Sequence, residues 1–125
     1  MEESIFTKII KGKIPSYKVY EDEKTMAFLD IHPETYGHVL VVPKVQCDKI
    51  YELPEEEFLA LMKAVRKISA RMEEVLGKRV IWKVIGVDVP HAHVHVMPYD
   101  ENWKPGDEME MSPEEMEELR QKLVF

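Results

Sequence analysis

Residues 91–97 read His-Ala-His-Val-His-Val-Met, with polar and apolar side chains in strict alternation. Successive side chains of a β-strand point to opposite faces of the sheet. The pattern therefore predicts a strand that packs Ala92, Val94 and Val96 into the core and turns all three histidines to the other face. Three histidines in five residues have no ordinary packing reason, so we interpret them as the chemical site of the protein.

The clearest helical pattern lies upstream of this strand. Apolar residues recur at steps of three and four between Phe58 and Leu76, which is the spacing of an amphipathic helix. Pro54 lies near the expected start of the helix, and Gly77 follows its expected end. We therefore expect one long helix over 54–76.

The other predicted elements are short and show no βαβ rhythm. We expect a helical turn over 5–10, strands over 17–20, 25–29, 38–43 and 79–85, a turn at 21–24, and a C-terminal helix of about 113–124 that begins with the capping box Ser112-Pro-Glu-Glu115. This order predicts a single α+β domain over 1–125, with an antiparallel sheet of about five strands, one long helix and one or two shorter helices. We expect the helices on one side of the sheet.

Composition narrows the classes of function. The chain has 125 residues and a net charge of −7, and an acidic balance argues against nucleic acid as the main partner. No window approaches eighteen consecutive apolar residues, so we expect no membrane partner. The N-terminus lacks the features of a secretory signal, and Cys47 is the only cysteine. We therefore expect a cytoplasmic protein without a disulfide.

The histidine cluster is compatible with two kinds of chemistry. Histidines two positions apart on a strand are about 6.7 Å apart and could share one zinc ion, whereas those four positions apart, at about 13 Å, could not. A metal site would then need a third ligand, such as His38. Alternatively, one imidazole attacks phosphorus without any metal, and its neighbours bind or protonate the phosphate oxygens. His32, in a proline-rich turn, is expected at the surface.

The motif at 91–97 resembles the histidine triad, His-φ-His-φ-His-φ-φ, where φ is apolar. Four upstream stretches are similar to the nucleotide-binding Hint branch of the histidine triad family, namely 5–15, 19–22, 27–31 and 37–44. The likeness as a whole covers about residues 4–100. The resemblance implies an α+β fold and a homodimer whose two sheets join. It also implies hydrolysis or transfer at the α-phosphate of purine nucleotides, notably phosphoramidates and aminoacyl adenylates, with no cofactor.

The same resemblance implies a role for each histidine. His93 would be the nucleophile, and we interpret the backbone carbonyl of His91 as a candidate acceptor for its second ring nitrogen. His91, His95 and His38 would orient it and contact the phosphate. Asp30 matches the acidic residue that binds the ribose hydroxyls. The purine pocket would be lined by Ile5, Phe6, Ile9, Phe28, Ile31 and Leu40, each of which could equally be plain core.

Two groups of residues depart from the family pattern. Many relatives carry a Cys-x-x-Cys and a histidine that complete a structural zinc site, where this chain has Ser4, Thr7 and Gln46. We therefore expect no structural zinc. The loop before the triad carries Asp88 where relatives have a serine or glutamine that donates to phosphate. A carboxylate there repels phosphate, so either Asp88 points away or the substrate preference differs.

A homodimer is also expected because a small sheet has free edges. The long helix and the strand from Arg79 would supply its interface. The segment Asn102-Trp103-Lys104-Pro105 would approach the partner's site, unless Trp103 caps its own core. A nucleotide-binding module with little turnover, a zinc-dependent hydrolase and a dinucleoside polyphosphate hydrolase remain alternative functions.

Overall fold

The computed structural model describes residues 2–125, which form one five-stranded antiparallel sheet and three α-helices. The elements in chain order are α1 (Ile5–Ile10), β1 (Lys18–Glu21), β2 (Thr25–Leu29), β3 (Val39–Pro43), a 3-10 turn (Ile50–Glu52), α2 (Glu55–Leu76), β4 (Val80–Lys83), β5 (Val94–Pro98) and α3 (Pro113–Leu123). The strand order is β1-β2-β3-β5-β4. The predicted α+β class is confirmed. No helix of the described chain is long and apolar enough to cross a membrane.

The two faces of the sheet bury different sets of side chains. Val39 and Val41 of β3 belong to the main core, which the sheet shares with α2 and α3. Leu40 and Val42 belong to a smaller cluster on the opposite face, where they pack with Phe6 of α1. Helices therefore lie on both faces, and the expectation of helices on one side is wrong. The short α1 covers the second face because its apolar stripe needs a surface to bury it.

The long helix α2 begins and ends where its flanking residues predict. Pro54 precedes its first turn, and Gly77 ends it with a φ of 68°. That left-handed conformation is easily adopted by glycine. The amide of Gly77 donates to the carbonyl of Glu73 at 2.8 Å. Helix α2 thus spans the sheet from the loop after β3 to the start of the edge strand β4.

The histidine-rich strand is shorter than its alternating sequence predicts. β5 begins at Val94, and its ladder with β3 starts at the pair formed by Val41 and Val94. The amide of Ala92 donates instead to the carbonyl of Cys47, in the loop after β3, at 2.6 Å. His91 and His93 therefore precede the strand. The predicted division of side chains still holds, since Ala92, Val94 and Val96 all enter the main core.

Candidate active site

A pocket of about 400 Å³ lies on the face of the sheet that α1 covers. Every predicted nucleotide-binding residue lines it, together with two of the predicted catalytic histidines: Ile5, Phe6, Ile9, Phe28, Asp30, Ile31, Leu40, Asp88, His93 and His95. Its size and mostly apolar lining are typical of small-molecule sites. Sequence reasoning missed six lining residues: Ile14, Pro15, Ser16, Leu29, His32 and Val89. Residues 14–16 lie shortly after α1 in the chain, and that proximity was the available signal.

One ring nitrogen of His93 is held by the protein, and the other is free of such a bond. Its Nδ1 lies 2.8 Å from the backbone carbonyl of His91. Because a carbonyl only accepts, Nδ1 carries the hydrogen, and Nε2 keeps its lone pair. The ring of Phe6 stands edge-on to the imidazole, with 5.0 Å between ring centroids. The expected acceptor is therefore present, and it fixes the orientation of the His93 ring.

A hydrogen-bonded series sets the protonation of His38 and His95. The amide of Glu34 donates to His38 Nδ1 at 3.0 Å, so the hydrogen of His38 is on Nε2. That Nε2 donates to His95 Nδ1 at 2.9 Å, which places the hydrogen of His95 on Nε2. Burial lowers the pKa of His38 to about 3 and that of His95 to about 4. Both rings are therefore neutral at neutral pH.

The series ends at an unused donor. Nε2 of His95 is buried and has no hydrogen-bond partner. A buried polar group without a partner is costly, and such groups are concentrated where a ligand completes the bond. His95 lines the pocket next to His93, with 5.1 Å between the two ring centroids. An oxygen atom of a bound phosphate would supply the missing acceptor.

His91 is tied to the protein through both ring nitrogens. Nε2 donates to the carbonyl of Pro43 at 2.8 Å, and Nδ1 lies 2.7 Å from the hydroxyl of Ser4. Burial lowers the pKa of the ring, so Nδ1 is the acceptor of the Ser4 hydroxyl. Neither His91 nor His38 lines the pocket. The structure places both behind the two lining histidines, where they orient His93 and His95 and leave no ring nitrogen for a phosphate.

The residues at the positions of the family's zinc ligands form a hydrogen-bonded cluster. The hydroxyl of Thr7 donates to Gln46 Oε1 at 2.6 Å, and the amide of Ser4 donates to the same oxygen at 2.9 Å. The Ser4 hydroxyl also accepts from the amide of Thr7 at 3.0 Å, as the N-cap of α1. Hydroxyl and amide oxygens are poor zinc ligands compared with thiolate and imidazole. This cluster joins α1 to the loop after β3 and holds the ring of His91.

A second group could in principle hold a metal ion. Ligand atoms of Asp30, His38 and His95 lie within 4.8 Å of one another. A histidine binds metal through a nitrogen that carries no hydrogen. His38 Nδ1 already accepts the Glu34 amide, so its hydrogen must be on Nε2, the nitrogen that would face the metal. The arrangement therefore favours a hydrogen-bonded histidine pair over the predicted alternative of a zinc site built on His38.

Asp30 lies at the end of β2 and is oriented by two neighbours. Its Oδ1 accepts from the amide of His32 at 2.8 Å, and its Oδ2 lies 3.5 Å from His38 Nε2. Burial raises the pKa of this carboxyl. The side chain of His32 is 70% exposed, as expected for a surface residue, although it also contributes to the pocket rim. Asp30 thus offers a fixed carboxylate at the side of the pocket, as the binding of a cis-diol requires.

The segment after β5 folds back onto its own chain. The indole of Trp103 and the amide of Gly106 donate to Oε1 of Glu34 at 3.1 and 3.2 Å. Lys83 forms an ion pair with the same carboxylate. Trp103 is therefore held by its own subunit's Glu34, the residue whose backbone orients His38. This contact is made within one chain, and the approach of segment 102–105 to a partner's site stays a prediction.

Fold and site together define a small α+β protein in which two buried histidines, His93 and His95, line an apolar pocket. The family model of the HIT domain matches residues 11–102, and the chain belongs to this histidine triad family. Its pattern fits the Hint-like branch.

Known relatives and solved structures agree with this assignment. The chain is 36% identical to adenosine 5'-monophosphoramidase hnt1 of Schizosaccharomyces pombe, over 95% of this chain and 94% of that protein. A Hit-like protein of Bartonella henselae involved in cell-cycle regulation has a TM-score of 0.87 and 30% identity, over 97% of this chain and 94% of that one. A zinc-bound histidine triad family protein of Mycobacterium smegmatis has a TM-score of 0.78 and 27% identity, over 95% and 91%.

Proposed function

We propose that the protein is a metal-independent hydrolase or transferase that acts at the α-phosphate of purine nucleotides. The bond from His93 Nδ1 to the His91 carbonyl, at 2.8 Å, carries the proposal because it leaves Nε2 available for attack on phosphorus. The apolar lining of the pocket suits a purine ring, and Asp30 suits the ribose hydroxyls. The similarity to a monophosphoramidase, over nearly the whole of both chains, supports the same chemistry.

The proposed reaction has two displacement steps. In the first, the lone pair of His93 Nε2 forms a bond to phosphorus, and the bond from phosphorus to the leaving group breaks. The leaving group takes a proton from water at the mouth of the pocket. In the second, water attacks phosphorus, the bond to Nε2 breaks, and a proton of that water returns to solvent. The Nε2 hydrogen of His95 bonds to a phosphate oxygen in both steps and stabilises the charge that develops there.

Replacement of His93 by alanine tests the nucleophile. His93 lines the pocket and does not belong to the main core, so we expect the variant to fold and to bind nucleotide nearly as well as the wild type. Turnover of adenosine phosphoramidate should fall by a factor on the order of 10⁴, as is common when a nucleophile is removed. Glu118→Gln, at an exposed position of α3 outside the pocket, is the control and should keep its activity. A nucleotidyl adduct on His93, trapped by a quench without acid, would support the proposal directly.

Three measurements distinguish the proposed function from its alternatives. If His93→Ala kept more than about a tenth of wild-type turnover, His93 would not be the nucleophile. Near-stoichiometric zinc in the purified protein, with activity lost to a chelator, would favour the zinc-dependent hydrolase. Tight nucleotide binding without turnover of any phosphoramidate or adenylate would favour the binding module.

We further propose a homodimer joined along β4 and α2. β4 is an edge strand of the sheet, and its Trp82 is 47% exposed. The two residues that follow the strand, Val84 and Ile85, are 47% and 44% exposed. An unpaired edge with exposed apolar side chains favours pairing with a second strand. The cytoplasmic location expected from the sequence also stays a prediction.

A further inference from the structure

The hydrogen bond between two neutral imidazoles, His38 and His95, can run in either of two directions. In one, Nε2 of His38 donates to Nδ1 of His95, and Nε2 of His95 keeps a hydrogen for a ligand. In the other, Nδ1 of His95 donates to Nε2 of His38, and Nε2 of His95 offers only a lone pair. The distance of 2.9 Å between the two bonded nitrogens fits both directions. Only the first direction gives a bound phosphate its donor, as the proposed function requires.

One backbone amide selects the first direction. The amide nitrogen of Glu34 lies 3.0 Å from Nδ1 of His38, and a backbone amide only donates. In the second direction, Nδ1 of His38 would carry a hydrogen that points at the hydrogen of this amide, and the bond between them would be lost. The Glu34 amide therefore opposes the second direction for as long as it keeps its position beside the ring.

The side chain of Glu34 is held by groups from two distant segments. The indole of Trp103 and the amide of Gly106 donate to its Oε1 at 3.1 and 3.2 Å, and Lys83 of β4 forms an ion pair with its Oε2. Burial alone would raise the pKa of this carboxyl, but these three contacts outweigh burial and lower the pKa. The carboxylate is therefore charged at neutral pH, and a charged acceptor forms the stronger hydrogen bonds.

These contacts fix the loop that carries the amide. Glu34 lies between β2 and β3, and its side chain is only 11% exposed. Lys83 is the direct neighbour of His95 in the pairing of β4 with β5, so the lysine and the ring lie side by side on adjacent strands. The amide of Met109 also donates to the carbonyl of Pro33 at 2.8 Å. The segment after β5 thus holds this loop at two successive residues.

Building on the function proposed above, we propose that Glu34 is a positioning residue that sets the direction of the bond between His38 and His95. Its carboxylate, anchored by Lys83 and Trp103, holds its own backbone amide against His38. The amide in turn keeps a hydrogen on Nε2 of His95 for the phosphate. When the anchor is lost, the loop moves and the two directions become closer in free energy. A share of the molecules then presents a lone pair, which repels a phosphate oxygen.

The position of the hydrogen on each ring gives a test that does not need activity. In ¹⁵N-labelled protein, long-range correlations between ring nitrogens and ring hydrogens distinguish a nitrogen that carries a hydrogen from one with a lone pair. We expect both His38 and His95 of the wild type to carry the hydrogen on Nε2. In Glu34→Ala, the ratio of the Nδ1 form to the Nε2 form should rise by about five- to tenfold in both rings, which is the effect of one ordinary hydrogen bond on two populations.

Three further variants separate positioning from a general loss of stability. Glu34→Gln keeps an oxygen for the indole of Trp103 and should retain the wild-type ring forms. Trp103→Phe removes the indole donor, keeps an aromatic ring, and should shift both rings in the same direction as Glu34→Ala. Glu21→Ala is the matched control, because Glu21 of β1 also pairs with two lysines, Lys18 and Lys44, each at 2.7 Å, and does not line the pocket. It should leave both rings unchanged.

Kinetics give a second readout. The donor at His95 acts on charge that develops in the transition state, so Glu34→Ala should lower kcat for adenosine phosphoramidate by about five- to tenfold and change KM by less than about twofold. Glu34→Gln should restore kcat. If the wild-type protein cleaved no phosphoramidate, the proposed function would fail, and the ring forms would still decide on Glu34.

Two results would overturn the proposal. One is a wild-type protein in which either His38 or His95 carries its hydrogen on Nδ1. The other is a Glu34→Ala protein whose ring forms equal those of the wild type. If Glu34→Ala failed to fold, Trp103→Phe would decide in its place, and unchanged rings in that variant would count against the anchoring of Glu34.

Discussion

Replacing Ser4 by alanine removes two interactions at once, and a second helix of the chain allows them to be separated. Ser4 caps α1, where its hydroxyl accepts from the amide of Thr7 at 3.0 Å. The same hydroxyl lies 2.7 Å from Nδ1 of the fully buried His91. Loss of an N-cap costs about 1 kcal/mol of unfolding free energy. A buried acceptor left without its donor adds about 1–3 kcal/mol, so we expect a total loss of about 2–4 kcal/mol.

Ser112→Ala is the control, because Ser112 caps α3 with the same geometry. Its hydroxyl accepts from the amide of Glu115 at 3.1 Å, in an exposed setting without a buried histidine. This variant should lose about 1 kcal/mol. Urea titrations give both values, and m should stay unchanged if the two variants unfold like the wild type. The excess loss in Ser4→Ala measures the contact with His91.

Equal losses in the two variants would refute the reasoning, because they would show that the hydroxyl of Ser4 acts only as a cap. Thr7 could reduce the additional loss of unfolding free energy in Ser4→Ala, because its hydroxyl lies 3.3 Å from His91 Nδ1 and could partly replace that of Ser4. Doing so would withdraw it from Gln46, to which it donates at 2.6 Å. We therefore expect the excess to remain measurable.

Three further predictions concern binding, pH and assembly. Asp30→Ala should weaken binding of ribonucleotides by about tenfold, as expected for the loss of a charged hydrogen bond, and should affect 2'-deoxynucleotides much less. Calorimetry with both kinds of nucleotide measures this difference, and an equal loss of affinity for both would contradict the role of Asp30. The pKa values of His38 and His95, about 3 and about 4, lie below the ordinary value of 6.5. Between these folded-state values and 6.5, the unfolded chain therefore binds more protons than the folded chain. The free energy of unfolding should therefore fall as the pH drops from about 6.5 towards 4 and stay nearly constant above 7, and a urea midpoint that did not fall on acidification would contradict the buried neutral pair. Sedimentation at micromolar concentration should show a dimer, which Trp82→Glu on the edge strand should dissociate; a wild-type monomer would disprove the proposed assembly.

Local sequence patterns were sufficient to predict the helices and strands. The helical spacing from Phe58 to Leu76 matches α2, and the alternation at 91–97 correctly divided core side chains from histidines. Such patterns work because periodicity reports which side of a segment is buried. The resemblance to the histidine triad family added what periodicity cannot supply, namely the residues from distant segments that line one pocket, such as Ile5 and Asp30.

Only the tertiary structure decided which partners form hydrogen bonds with His38, His91 and His95. Ser4 and His91 are 87 positions apart and His38 and His95 are 57 apart, so no local pattern could show that they are hydrogen-bonded. The hydrogen on each ring depends on whether its neighbour is a carbonyl, an amide or another imidazole, and that neighbour is set by how β3 and β5 pair. The donor at Glu34 is a backbone amide, so the residue type gives no sign of it. This amide nevertheless fixes the hydrogen of His38 on Nε2 and thereby leaves a donor at Nε2 of His95. Side-chain chemistry can be read along the chain, but the direction of each hydrogen bond exists only where the folded backbone brings donor and acceptor together.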